Sequence, residues 1–186
     1  MWQAGKFQFV RIVLFAVFAA VIYGILHDLV TAHLSLEYFT IAHPPLPLPQ
    51  TSLAMALAWG VIATWWFGAI LGIALGFAAQ IGKAPKIDFA ELKRPIILLM
   101  VASGVCAALA MVIGALLFQL GVIWVGPMLE NAIPSEKHQA FLAAAWAHSA
   151  SYLIGGIGGL FLVARTALRR YRLSILQSAS KAENGI

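Results

Sequence analysis

Residues 140–164 read AFLAAAWAHSASYLIGGIGGLFLVA, 25 residues without one Asp, Glu, Lys or Arg, and the chain then turns basic at Arg165, Arg169, Arg170 and Arg172. A helix that crosses the hydrocarbon core of a bilayer needs about 20 consecutive, mostly apolar residues. This stretch therefore reads as a transmembrane span that carries a single imidazole, His148, below its entrance. Working outward, residues 7–26, 52–79 and 95–125 meet the same criterion. The second and third are longer than a crossing requires, so tilt or protrusion is expected of them. The reading is an all-α, four-transmembrane-helix bundle over residues 1–172, followed by a tail at 173–186.

The composition agrees. Of 186 residues, 62% are hydrophobic and 10% charged, against about 45–50% and about 25% in a soluble domain. A net charge of +5 would suit nucleic acid in a soluble protein. Here the cations flank apolar runs, so anionic lipid headgroups are the expected partner and nucleic acid is not. The lone cysteine, Cys106, lies inside a span. It excludes an internal disulfide and reads as a small packed side chain.

Eleven of the twelve Lys and Arg residues fall in the N-terminal segment, the loop between spans two and three, and the C-terminal tail; Lys137 alone falls on the other side. The positive-inside rule makes the basic side cytoplasmic, with both termini there. Span one, preceded by Lys6 and carrying Arg11, reads as a retained signal anchor. Trp2 and Tyr171 suit the inner interface, and Trp59, Trp124 and Trp146 the outer one. Trp65 and Trp66 fall near mid-span and are expected to serve packing or line a pocket.

Helices in lipid associate through close backbone approach and interhelical hydrogen bonds more than through apolar burial. Gly60, Thr64, Gly68, Gly72 and Gly76 stripe span two; Ser151, Gly155 and Gly159 do the same in span four; Gly104, Ala107, Ala110 and Gly114 are offered by span three. Spans two and four are expected to make the closest contact. Plain helix packing is the simpler use of these stripes, and a homo-oligomer seam the other.

The polar chemistry is one-sided. All five histidines and four of the seven carboxylates (Asp28, Glu37, Glu130 and Glu136) lie in the outer half. His27 and Asp28 stand at the exit of span one. The stretch 34–41 is too apolar for a solvated loop and should lie in the interface or pack on the bundle. His43 opens a proline-rich segment, 43–49, whose extended course can pass over the helix ends. His148 lies about 13 Å below the start of span four at 1.5 Å per residue. Ala144, His148, Ser151, Tyr152 and Gly155 share one helix face, expected to point inward. Ionisable groups at membrane depth face the bundle interior and mark functional sites.

With spans one and four as neighbours, His27 and His148 can converge, and Asp28, Glu37 or His43 can complete a set of ligands. Imidazole with carboxylate suits Zn, Cu, Fe or Ni. A b-type haem between His27 and His148 is a variant of that reading. Beside it stands the plainer one: a buried histidine bonded to a neighbouring carbonyl or serine, an interfacial His27–Asp28 pair, and solvated Glu37, His43, His33 and His138. No His-Glu-x-x-His motif, nucleophile elbow or phosphate loop is present.

The elements Tyr23-Gly24-x-x-His27-Asp28-x-x-Thr31, Glu37-Tyr38-Phe39-Thr40-x-x-His43-Pro44, 59–66 (WGVIATWW) and 146–152 (WAHSASY) resemble a group of small, uncharacterised bacterial inner-membrane proteins. The likeness covers all but the tail and brings no function with it. It adds weight to His27, Asp28, Glu37, His43 and His148, and none to His33 or His138.

Three functions are open to such a chain: a transition-metal site at the periplasmic end of the bundle, a non-enzymatic subunit of a larger membrane complex, and, least supported, a small transporter. Transporters favour inverted repeats and broken spans, and no internal repeat is visible.

Overall fold

A computed structural model describes the backbone of residues 2–183 and the side chains of residues 5–182. Every regular element among the described residues is helical, and four helical stretches are long and apolar enough to cross a membrane. Helix α1 is Trp2–Leu34, and a short α2, Leu36–Thr40, follows it. The second crossing is made of α3, Ser52–Ile62, and α4, Trp65–Gln80. The third is α5, Phe89–Gln119; α6, Pro127–Glu130, and a 3₁₀ turn, Ser135–Lys137, lead into α7, His138–Glu183.

Several expected boundaries move. Helix α1 runs two turns past residue 26, because no Gly or Pro interrupts 25–34 and the Thr31 hydroxyl donates back to the His27 carbonyl at 3.1 Å. His27 and Asp28 therefore sit inside a continuous helix rather than at its exit. Helix α5 starts earlier and stops at Gln119, where Gly121 takes φ +68° and the amides of Gly121 and Val122 bond to Phe118 and Leu117. That paired closure needs a left-handed residue, which glycine supplies. Helix α7 has 46 residues, about 69 Å at 1.5 Å per residue, so most of the expected tail is helix. Trp2 lies outside the residues whose side chains are described; Tyr171 is exposed.

The second span breaks at Ala63–Thr64. The Thr64 amide turns to Val61 (3.2 Å) while its hydroxyl takes the Gly60 carbonyl at 2.5 Å. A threonine that bonds back in this way bends its helix. The break lies where α1 and α3 cross most closely: a Cβ on Gly24 would stand 2.5 Å from the Gly60 carbonyl, and one on Gly60 would stand 2.6 Å from the Ile25 Cα.

The glycines of span two thus face span one, not span four. Gly68 and Gly72 lie against Ala16, Val17 and Val13 in the same manner. The closest pairs are α1 with α3–α4 and α5 with α7, and this corrects the expected pairing of spans two and four. Spans one and four oppose each other across the core, with only sparse contact. Trp65 and Trp66 point outward, 52% and 43% exposed, and neither joins the core clusters nor lines the cavity between the helices.

Two apolar layers fix the ends of the site. Ile12, Ala16, Leu71, Leu75, Ile96, Leu99 and Leu162 form a sealed core in the lower half of the bundle. Above it, α2 folds down on the bundle as its apolar sequence requires: Phe39 is buried with Ala32, Met55 and Ala56, and Tyr38 packs on Phe141 beside Val125 and Ile133. Leu46, from the proline-rich segment, joins the first of these clusters.

At the other end, the start of α1, the 81–88 loop and the Arg170 region come together. The Gln8 side chain accepts the Phe89 amide, and Arg170 donates to the carbonyls of Ala78, Ile81, Ala84 and Pro85 at 2.7–2.8 Å. Arg169 pairs with Glu91 on the surface.

Candidate metal centre

His148 lies on the inward face of α7 with Ala144 and Ala147, both fully buried. Its Nδ1 is 2.9 Å from the Ala144 carbonyl, one turn back, and its Nε2 is 3.1 Å from Asp28 Oδ1 on α1. The two residues are 120 positions apart in sequence and both are buried, 8% and 4% exposed. His27, beside Asp28 on α1, turns the edge of its ring to the His148 ring, with 4.5 Å between centroids. His27, Asp28 and His148 each offer one ligand atom, and these atoms lie within 4.8 Å of one another.

Proton counting makes this cluster informative. A carbonyl only accepts, so the contact with Ala144 places the hydrogen on His148 Nδ1. In a neutral imidazole Nε2 is then a bare lone pair, and it faces a carboxylate oxygen, also an acceptor. Two acceptors at 3.1 Å need a cation between them or on one of them: a proton or a metal ion. A histidine that ligates a metal through one nitrogen and donates the other N–H to a backbone carbonyl is the ordinary arrangement at metal sites.

Aromatic rings pack around this ring. Tyr38 of α2 stacks on His148 at 4.3 Å, and Phe39 meets it edge-on at 5.6 Å. Burial pushes the Tyr38 phenol up from 10 to about 12, with Tyr152 and Asp28 adding to the shift. Below the cluster, the Tyr23 hydroxyl bonds the Ser151 hydroxyl at 2.7 Å.

These groups line one cavity of about 60 Å³ between α1, α3–α4, α5 and α7, roofed by α2. Just below its lowest lining residues, Phe67 and Met100, Leu71 and Leu99 close the bundle. Among the described residues, the buried side-chain polar atoms without a hydrogen-bond partner are His27 Nε2, Trp59 Nε1 and Ser103 Oγ, and all three residues line this cavity. Buried polar atoms are ordinarily paired, so these three are exceptions, and they gather around one cavity.

Of the five residues singled out from the sequence, the fold gathers His27, Asp28 and His148. Glu37 lies outside the cluster, accepting from the Ser35 hydroxyl at 3.0 Å on the first turn of α2. His43 lines the cavity but not the cluster: its Nδ1 donates to the Tyr38 carbonyl at 2.7 Å and its ring rests 4.8 Å from Trp59. His33 is exposed and bonds Leu29, and His138 bonds Ile133; neither approaches the site. On the shared face of α7, Ala144, His148 and Gly155 are buried, whereas Tyr152 is 43% exposed on the cavity rim. A haem bridging His27 and His148 does not fit, because the two rings touch edge to face with no slab of space for a macrocycle.

Sequence reading missed Ser103, the pairing of Tyr23 with Ser151, and the structural use of Arg170. Ser103 stands beside Gly104 on the small-residue face of span three, and a hydroxyl at mid-span was its only signal.

No family model, curated protein or solved structure matches this chain. What the site does must therefore be argued from its own chemistry, since a fold alone does not assign a function.

Proposed function

We propose that this protein is a multi-pass protein of a bacterial inner membrane that holds one divalent transition-metal ion through His27, Asp28 and His148, near the periplasmic end of its bundle. The observation that carries the reading is the acceptor pair, His148 Nε2 against Asp28 Oδ1, with the His148 N–H already committed to Ala144 and His27 Nε2 buried beside it without a partner. Two imidazoles and one carboxylate suit zinc and ferrous iron, and copper accepts the same donors. Bound by these three residues, an ion would supply a Lewis acid.

The chain's own residues set the conditions. Ala144 fixes the tautomer and plane of His148. Tyr38 and Phe39 cover the ring and limit water from above, and the leucine layer closes the site from below. Trp59 and Ser103 present unpaired groups to whatever shares the cavity with the ion. The clustering of basic residues at the opposite end supports the periplasmic placement.

Metal analysis of the full chain, purified in neutral detergent without chelator, tests the proposal. About one ion per chain is expected from the three-ligand set. Asp28→Asn and His148→Ala should each bring the content to background, while His33→Ala should leave it unchanged. Metal-free wild-type protein that takes up no added zinc, iron or copper would mean that a proton alone joins His148 to Asp28, and the proposal would fall.

A further inference from the structure

The cavity beside the histidine cluster also reaches the flank of the bundle. Tyr38 and Phe39 of α2 roof it, and Leu71 and Leu99 close it below. In its lower part α4 packs on α7: a Cβ on Gly155 would stand 3.2 Å from Phe67, and one on Gly159 would stand 3.2 Å from Leu71. Above the break at Ala63–Thr64 this packing ends. Helix α3 leans on α1, with Gly60 against Ile25, and scarcely touches α7. Tyr152, two turns above Gly159 on the same stripe of α7, lines the cavity and is 43% exposed. Ala63 and Phe67 line it from the facing helices and are half-buried.

The groups inside this side opening narrow the choice of ligand. Ser103 Oγ belongs to a residue 1% exposed and has no hydrogen-bond partner; it stands 3.8 Å from where a Cβ on Gly155 would lie, beside Phe67. Trp59 Nε1, which only donates, is likewise unpaired on the α3 wall. A hydroxyl accepts from either group and can donate in return to Ser103. No Lys or Arg lines the cavity and Asp28 does, so an anionic head would be buried beside a carboxylate without a countercharge. A volume of about 60 Å³ falls well short of the roughly 150 Å³ that houses a benzene ring, which admits a slender chain end and excludes a ring. From Phe67 an apolar path leads outward: its ring meets Trp66 edge-on at 6.1 Å, and Trp66 is 43% exposed.

From this geometry we infer that the cavity takes the hydroxyl end of a neutral single-chain lipid, a long-chain alcohol. It enters from the bilayer between α3 and α7, bonds Ser103 through its oxygen, and leaves its chain across Phe67 and Trp66. The inference rests on the membrane reading proposed above and names a ligand for the same cavity, but it does not require the ion.

Photolabelling of the full chain in lipid nanodiscs decides it, with hexadecanol, hexadecane and hexadecanoate probes that carry a diazirine at the same carbon near the head. Labelled residues are mapped by peptide mass spectrometry. The alcohol should label Phe67 and Tyr152 roughly fivefold more than the alkane does, the difference that one net hydrogen bond makes, and more than the carboxylate does. Ser103→Ala removes a hydroxyl that bonds nothing else, so the fold is kept, and it should bring the alcohol down to the alkane level. Ala63→Trp keeps Ser103, closes the gap between α3 and α7 and should abolish the preference at both residues. Metal content measured on the same samples separates this inference from the metal centre. Preferential labelling by the alcohol in metal-free protein supports the inference without the ion, whereas metal-loaded protein labelled equally by alcohol and alkane overturns it and leaves the metal centre standing. An unchanged preference in Ser103→Ala, or stronger labelling by the carboxylate, would overturn it as well.

Discussion

Helix α7 carries a buried ionisable side chain near each end of the bundle, and the two are treated in opposite ways. At the basic end, the guanidinium of Arg170 is 6% exposed and meets four carbonyls at the end of α4 and in the loop after it. The carbonyls of Ala78 and Ile81 are among the unsatisfied acceptors that any helix C-terminus leaves, those of Ala84 and Pro85 belong to the loop, and a planar fork of donors suits all four. At the histidine end, His148 meets an oxygen that bonds it through a proton or a metal ion, and three nearby side chains, among the described residues, present buried atoms with no hydrogen-bond partner. The contrast separates a structural lock from a candidate site: the first has its acceptors matched by donors of the polypeptide, the second leaves buried polar atoms unmatched.

If that contrast is right, the largest loss of stability comes from the lock. Arg170→Ala strands several carbonyls at once and should cost about 3 kcal/mol or more, read as thermal unfolding of the purified protein in detergent. Arg170→Lys should recover only part, since an ammonium cannot reach all four acceptors. A cost below about 1 kcal/mol for Arg170→Ala would remove the distinction between the two ends.

The metal-linked effect ranks next. An ion held at about 100 times its dissociation constant adds about 2.7 kcal/mol to the folded state. Chelation should therefore lower the unfolding temperature of the wild type and leave that of Asp28→Asn unmoved. Equal shifts in both would place the ion elsewhere.

Smaller still is Ser103→Ala. Removing a buried hydroxyl that has no partner should be neutral or stabilise by up to about 1 kcal/mol. Clear destabilisation would show that Ser103 already has a fixed partner and that this part of the cavity is complete.

The last sharpening concerns Tyr38. Burial favours its neutral form, so its folded pKa, about 12, exceeds the ordinary 10. The folded chain then binds more protons than the unfolded one only between those values. The Tyr38 contribution should be intact below pH 10 and decline as pH rises from 10 towards 12, with no further change beyond. Tyr38→Phe should flatten that part of the stability profile; an unaltered profile would mean that the phenol is solvated.

Much of this was legible in the residues. Hydropathy summed over a window is a local property, and it located four spans, though not their ends. Helix α1 continued past residue 26 because polar residues such as His27 and Asp28 do not stop a helix; they only lower the window average. The break at Thr64 was hidden because the whole of 52–79 is apolar and threonine bends a helix through its own hydroxyl, which hydropathy does not register. The one-sided placement of the histidines led to His148, and depth in the span marked it as inward-facing. It could not choose among Asp28, Glu37 and His43 as its companion, since all three lie at the same end within a short stretch.

The sequence by itself determined the number of helices long and apolar enough to cross a membrane and the segregation of imidazole from cation. Each of these is a sum over neighbouring residues. Only the tertiary structure decided that span one pairs with span two, that α1 and α7 meet across the core at a single level, and that Asp28 rather than Glu37 faces His148. Those outcomes depend on where two backbones can touch, at Gly24 and Gly60, and on contacts between residues 120 positions apart, which no local pattern encodes.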